Sequence, residues 1–257
     1  MSTTAPHRGI NLRKVLGPIH VWGLGVGIVL VGEFMGWNFA VGKGGALAAL
    51  IACWVIGLLY TCVAMIDSEV TSTVAAAGGQ YAQAKHIVGP LMAFNVALYL
   101  VLAYTMLAAG NAFVAADLLK TVAAQMGHPD LDSRPFVVLV IVSLAWLNYR
   151  GVFESLTFNY VITAVAFVSI LVLFWGVQPF SDDSLLRHAD LLTGLPYGWI
   201  GVIASLQFGM WYYLGIEGTC QAAEECRSAS RAIPLGTMTG MITLVIAASL
   251  TWYVAAG

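Results

Sequence analysis

Charged side chains are scarce in this sequence: 13 Asp and Glu and 11 Lys and Arg among 257 residues, 9% in all, against roughly 25% in a soluble domain. A chain so poor in charge has too little to cover a wet surface on every side, which excludes an ordinary water-soluble domain. The formal net charge is -2. Without a basic excess there is no face to neutralise phosphates, and no nucleic-acid partner is expected. Cysteine is equally sparse, at Cys53, Cys62, Cys220 and Cys226 only. Their positions within or beside apolar runs fit free thiols, so neither a disulfide framework nor a metal site is expected. The apolar runs contain no HExxH, no GxSxG and no paired aspartates, and Gly42-Lys43-Gly44-Gly45 lacks the spacing of a phosphate loop. These absences point away from an enzyme; no catalytic residue and no cofactor is assigned.

What is present is apolar, at 60% of the positions. Seven runs stand out, near Gly17 to Val41, Gly45 to Ile66, Leu91 to Leu119, Pro135 to Tyr149, Leu156 to Val177, Gly198 to Cys220 and Ile233 to Gly257. Most exceed the roughly 18 residues at which a membrane span becomes the default reading. Lipid offers the backbone no hydrogen-bond partners, so runs of this length must be helices; barrel strands would alternate and be about half as long. The fold class is therefore all-α, a polytopic transmembrane helix bundle. The first run is too long, and too closely followed by the second, to be a cleaved signal peptide. With the N-terminus inside, cytoplasmic loops carry Arg8, Arg13, Lys14, Lys85, Arg150, Arg227 and Arg231, against Lys43, Lys120, Arg134 and Arg187 opposite. Seven against four favours a cytoplasmic N-terminus in the inner membrane.

Acids at membrane depth cost about 2.5 to 3.5 kcal/mol each on insertion scales, so each is a candidate for function. Glu33 lies inside the first run and Glu217 inside the sixth, both among glycines. Glycine holds a helix poorly, and a helix interrupted at mid-membrane frees main-chain groups that are tolerable only against a cavity or a solute. Interruptions are expected at Gly36-Trp37-Asn38 and at Gly215-Ile216-Glu217-Gly218, the construction by which transporters build substrate sites. Two plainer readings compete. Gly23 and Gly27, and Gly32 and Gly36, are small-residue pairs that also serve close helix packing. Either glutamate can be a structural hydrogen-bonding residue kept protonated by desolvation. The cluster from Phe208 to Tyr213, with Trp211 in it, precedes the second interruption and offers aromatic faces to an ammonium group. Trp22, Trp146 and Trp199 read as interfacial or packing residues.

Between the second and third runs, Asp67, Glu69, Lys85 and His86 flank a short amphipathic helix and read as solvated charges. Asp182-Asp183 and His128-Pro129-Asp130 read as turns. Glu224, Glu225, Arg227 and Arg231 can form a latch or a solvated loop.

Three motifs together resemble the amino acid-polyamine-organocation superfamily of permeases. They are Gly32-Glu33-Phe34-Met35-Gly36-Trp37-Asn38 with Gly44-Gly45 behind it, Ala77-Gly78-Gly79-Gln80-Tyr81, and the stretch from Trp211 through Gly215-Ile216-Glu217 to Glu224-Glu225 and Arg231-Ala232-Ile233-Pro234. Ala229 stands near the place of the family's usual proline. The first and third motifs look most like ethanolamine permeases. The resemblance implies a five-plus-five inverted-repeat fold, with residues 1–16 a cytoplasmic tail, 17–177 the first repeat (helices 1 to 5) and 178–257 the start of a truncated second repeat (helices 6 and 7). It implies that Gly36, Trp37 and Asn38, and Leu214, Gly215 and Ile216, are unwound. It makes Trp211 an aromatic gate and Glu217 the proton-coupling residue. The implied function is secondary active transport of a small amine, its ammonium near Glu33 or Glu217, with a coupling proton or Na+; an amino acid permease is the alternative. A seven-helix receptor or sensor is a remote rival, since the seventh run lacks the lysine that a retinal protein needs.

Overall fold

A computed structural model describes residues 14–74, 76, 78–128, 130–150, 152–177 and 195–256, with residues 31–35, 38, 152–156 and 256 described by their backbone alone. Among the described residues, eight α-helices follow one another: α1 Pro18–Gly44, α2 Ala46–Thr73, α3 Gln80–Ile87, α4 Pro90–Gln125, α5 Arg134–Arg150, α6 Val152–Val177, α7 Gly198–Gly209 and α8 Ala229–Ala256. A 3₁₀ turn, Met210–Tyr212, and a 3₁₀ helix, Ile216–Glu225, lie between α7 and α8. Among the described residues, five segments are long and apolar enough to cross a membrane. They are α2, α4, most of α6, the stretch Gly198–Glu225, and α8.

Local chemistry sets the ends. Pro18 opens α1, where its missing N–H costs nothing, and the Gly17 N–H donates to His20 Nδ1. Gly45, at φ +91, turns the chain between α1 and α2 in two residues or fewer. Pro90 opens α4 after Gly89, at φ +127. The second run extends further than its apolar pattern: α2 continues past Ile66 to Thr73, which makes Asp67 a helical residue and not a loop residue.

The core lies where α1, α2, α7, the 3₁₀ segments and α8 meet, around Leu30, Trp37, Cys53, Tyr213, Ile216 and Leu244. Between lipid-borne helices the hydrophobic effect has little to offer, so close packing and hydrogen bonds must hold the bundle. Small residues supply the closeness. Gly44 and Gly201 bring α1 and α7 to backbone contact, and Ser205 Oγ donates to the Ala40 carbonyl at 3.1 Å. Gly23 and Gly27 receive Tyr160, Asn159 and Thr163 of α6, and Asn159 Nδ2 donates to the Gly23 carbonyl at 2.9 Å. Those two glycines serve packing. The segments on either side of residue 178 are not separate bodies, because α7 and α8 pack directly on α1 and α2. α6 flanks α1 and α8, and α5 joins α6 to α4.

A main-chain tie closes the end of the bundle where α1 begins. Val15 and Leu16 N–H both donate to the Glu225 carbonyl at 2.9 Å, and Arg227 N–H donates to the Leu16 carbonyl at 2.9 Å.

Candidate functional site

The sixth span is interrupted as its glycines predict. Gly215 sits at φ +112, and a Cβ there would lie 2.5 Å from Ile28 Cγ2. Only glycine meets both conditions at low cost. The chain leaves α7, makes the 3₁₀ turn at Met210–Tyr212, reverses handedness at Gly215 and resumes as the 3₁₀ helix from Ile216. The interruption keeps its N–H groups paired. Tyr213 and Leu214 donate to the Met210 carbonyl at 3.1 and 2.9 Å, Ile216 to Tyr213 at 3.2 Å and Gly218 to Gly215 at 2.9 Å. The Gly215 N–H donates to Glu217 Oε2 at 2.9 Å. Glu217 is thus built into the break.

The first span behaves otherwise. α1 winds through Gly36-Trp37-Asn38 without interruption, which corrects the expectation that those residues are unwound. A glycine in a helix costs only about 1 kcal/mol relative to alanine, less than unpaired main-chain groups cost in lipid. Gly36 has a packing use instead, since a Cβ on it would lie 2.7 Å from the Tyr212 ring. Beside it, Trp37 is 1% exposed and stacks on Tyr212, with ring centroids 4.3 Å apart and planes 17° from parallel.

Of the sequence-predicted residues, the structure brings Gly36 and Trp37 of α1 against Trp211 and Tyr212. The two segments run antiparallel. Gly25 faces Ile216 and Thr219, Ile28 faces Gly215 and Gly218, and Gly36 faces Trp211. Trp211 remains 37% exposed at this crossing. The Ile216 side chain is buried against Gly25 and Gly240, so it is a core residue whose main chain alone borders the break. Leu214 is half-buried. The side chains of Glu33 and Asn38 lie outside the described ones; by backbone position Glu33 precedes Trp37 by four residues, on the same face of α1. The indole N–H of Trp37 is buried with no hydrogen-bond partner.

A cavity of about 310 Å³ opens below the break, toward the end where α1 begins. Leu24 and Ile28 of α1, Tyr104 of α4, and Gly218, Gln221 and Glu225 of the 3₁₀ helix line it. Gln221 Nε2 donates to Tyr104 Oη at 3.4 Å across this space. On the adjoining side, Gln80 Nε2 donates to Asp67 Oδ2 at 3.2 Å, and Gln83 Nε2 to Thr71 Oγ1 at 2.6 Å. Gly78 and Gly79, at φ +102 and +48, let the chain between α2 and α3 lie against Gln221. Tyr104, Asp67 and Gln221 were not legible as site residues. Asp67 looked like the first solvated charge after an apolar run, and Tyr104 like one aromatic among many. Among the described residues no group of three or more His, Cys, Asp or Glu is placed to hold a metal ion.

Comparison with known proteins gives the arrangement its context. The sequence model of the amino acid permease family matches residues 16–257. An uncharacterized transporter of Rhizobium meliloti (strain 1021) is 66% identical over 250 residues, covering 96% of this chain and 54% of that protein. The methylthioribose transporter of Bacillus subtilis (strain 168) is 26% identical, covering 96% of this chain and 56% of that protein. Cationic amino acid transporter 1 of Arabidopsis thaliana is 24% identical, covering 93% and 41%. The chain spans about half the length of the curated relatives it matches.

Proposed function

The chain belongs to the amino acid permease family, and from that premise we propose that it forms the substrate-binding part of a secondary active transporter carrying a small amine of the ethanolamine type by alternating access. The observation that carries the reading is the hydrogen bonding around the break. The N–H groups of Tyr213, Leu214, Gly215, Ile216 and Gly218 already have acceptors, and those of residues 36–38 belong to an unbroken helix. A solute at this crossing therefore meets carbonyl oxygens, the face of Trp211 and the indole N–H of Trp37. Carbonyls and an aromatic face suit an ammonium, and a buried donor without a partner suits a hydroxyl. A substrate carboxylate would want a row of free N–H groups.

In this reading Glu33, Gly36, Trp37, Asn38, Trp211, Leu214, Gly215 and Ile216 surround the substrate, with Glu33 as the ammonium's counter-charge, and Glu217 couples transport to a proton. The N-terminus faces the cytoplasm, which makes the end bearing the cavity the cytoplasmic one. Residues 17–177 form the first inverted repeat, and 178–257 begin the second. The membership in a permease family leaves the receptor reading without support.

A permease for amino acids is the second reading, favoured by the names of the Arabidopsis relatives. Uptake of radiolabelled ethanolamine into proteoliposomes, competed by ethanolamine and by a panel of amino acids, separates the two. Displacement by ethanolamine alone supports the amine. Complete displacement by an amino acid at lower concentration transfers the assignment, and absence of specific uptake of either sinks both.

A further inference from the structure

We infer that the cavity below the break is a second site for the amine. There the ammonium rests on the Glu225 carboxylate, beside Tyr104 and Gln221, between the crossing and the water at the end of the bundle where α1 begins. The inference rests on the reading of the substrate as a small amine and adds a station to its route.

Named contacts bound the cavity. Toward the break, Ile28 divides it from the crossing: its Cγ2 lies 2.5 Å from where a Gly215 Cβ would be, and its Cδ1 3.4 Å from where a Gly218 Cβ would be. Tyr104 Oη lies 3.8 Å from that second point, so the missing side chain of Gly218 helps to keep the space open. At the far end, Leu16 and Glu225 both line the cavity and are joined to each other, the Leu16 N–H donating to the Glu225 carbonyl at 2.9 Å. Across the middle, Gln221 Nε2 reaches Tyr104 Oη at 3.4 Å. Gly218 and Glu225 stand seven residues apart on the 3₁₀ helix, about 14 Å at about 2.0 Å per residue. A small amine held at Glu225 is therefore clear of Gly215 and of the aromatic pair at the crossing.

The lining selects its occupant. A volume of about 310 Å³ falls at the small end of the roughly 300 to 1,000 Å³ usual for small-molecule sites. Leu16, Leu24 and Ile28 offer apolar walls to a short carbon chain. Tyr104 and Gln221 share one long hydrogen bond, and each keeps an oxygen able to accept from an N–H or an O–H. Glu225 supplies the charge. It is half-buried, and among the described residues it makes no ion pair. A carboxylate partly withdrawn from water and without a cation of its own is stabilised by taking one up. The same charge turns away an anion, so the occupant is a cation with a short apolar body.

Equilibrium dialysis of radiolabelled ethanolamine against the full chain in lipid nanodiscs counts the sites. The unmodified protein should bind two amines per chain. Glu225→Gln should weaken one of them by roughly tenfold or more and leave the affinity of the other unchanged. The tie at residue 225 uses only its carbonyl, so this variant keeps the main-chain bonds. Leu24→Trp, which fills the cavity with a ring and alters no charge, should remove the same site. If either variant fails to insert, the other decides alone. One amine per chain, unaltered by both variants, overturns the second site while leaving the crossing its amine. Two amines that survive both variants overturn it as well, because the second then lies elsewhere. Absence of specific binding to the unmodified protein overturns the amine reading itself.

Discussion

The carboxylate of Glu217 accepts the main-chain N–H of Gly215, two residues back, at 2.9 Å. An acid at membrane depth is thereby tied to the position inside its span, Gly215, where the backbone turns left-handed between α7 and the 3₁₀ helix. Protonation of Glu217 and the shape of the break are linked, because an ionised acceptor holds an N–H more strongly than a neutral one.

Glu217→Gln tests that link. The amide oxygen still accepts the Gly215 N–H, so the fold is kept, but nothing titrates. Uptake by Glu217→Gln should show a flat pH profile where the unmodified protein shows a sloping one. A slope that survives assigns Glu217 a purely structural task.

Glu33→Gln addresses the other acid. Loss of a counter-charge to an ammonium should weaken apparent affinity for ethanolamine by tenfold or more, on the basis of about 1.5 to 3 kcal/mol for a charged hydrogen bond. Unchanged affinity removes Glu33 from the site.

Trp37→Phe removes the buried indole N–H and leaves a ring to stack on Tyr212. One neutral hydrogen bond is worth about 1 kcal/mol, so affinity for ethanolamine should fall roughly fivefold. Ethylamine, which has no hydroxyl, should bind Trp37→Phe and the unmodified protein alike. Equal losses for both amines would mean that the substitution acts through packing.

The spans were legible because lipid dictates the length and apolarity of anything that crosses it, and α1, α2, α4, α5, α6, the α7 segment and α8 fall on the seven apolar runs. Glycine was an ambiguous sign. Around Gly215 it marks an interruption, whereas at Gly36 the same signal marks a close approach to Tyr212, and only the neighbouring ring tells the two apart. The second span outran its apolar pattern because polar residues can continue a helix near its end: Ser72 and Thr73 hydroxyls donate to the carbonyls of Glu69 and Val70. That extension turned Asp67 from a loop charge into a neighbour of Gln80, which no periodicity could have shown.

Gly79→Ala should destabilise the protein. At φ +48 an L-residue costs about 1 to 2 kcal/mol, and the added Cβ would lie 2.9 Å from Gln221 Cγ and 3.2 Å from its Cα. Gly110→Ala is the control, in open space within α4, and should be neutral or stabilising by up to about 1 kcal/mol. Thermal unfolding in detergent compares them; equal midpoints would show that the α2–α3 turn bears no strain.

Cys226 is 2% exposed, and its thiol donates to the Ala222 carbonyl at 3.3 Å. Burial first, and then the charge of Glu225, push it up to about 11 from an ordinary 9.0. At neutral pH it should resist maleimide while the main-chain tie is closed, as mass spectrometry of labelled protein would show. The raised value contributes stability below about pH 9 that is lost as pH climbs toward about 11. Rapid labelling at pH 7 would mean that the tie opens readily.

The strap joining residues 15–16 to 225–227 is made of peptide groups, so the identity of its side chains is of little consequence to it. Most replacements at Val15, Leu16 or Arg227 leave every donor in place, and only a proline, which lacks the N–H, cuts a strand of it. Whatever motion the span beginning at Pro18 undergoes is therefore shared with the segment ending at Glu225, and a sequence comparison that looks for matched side chains would pass over the joint entirely.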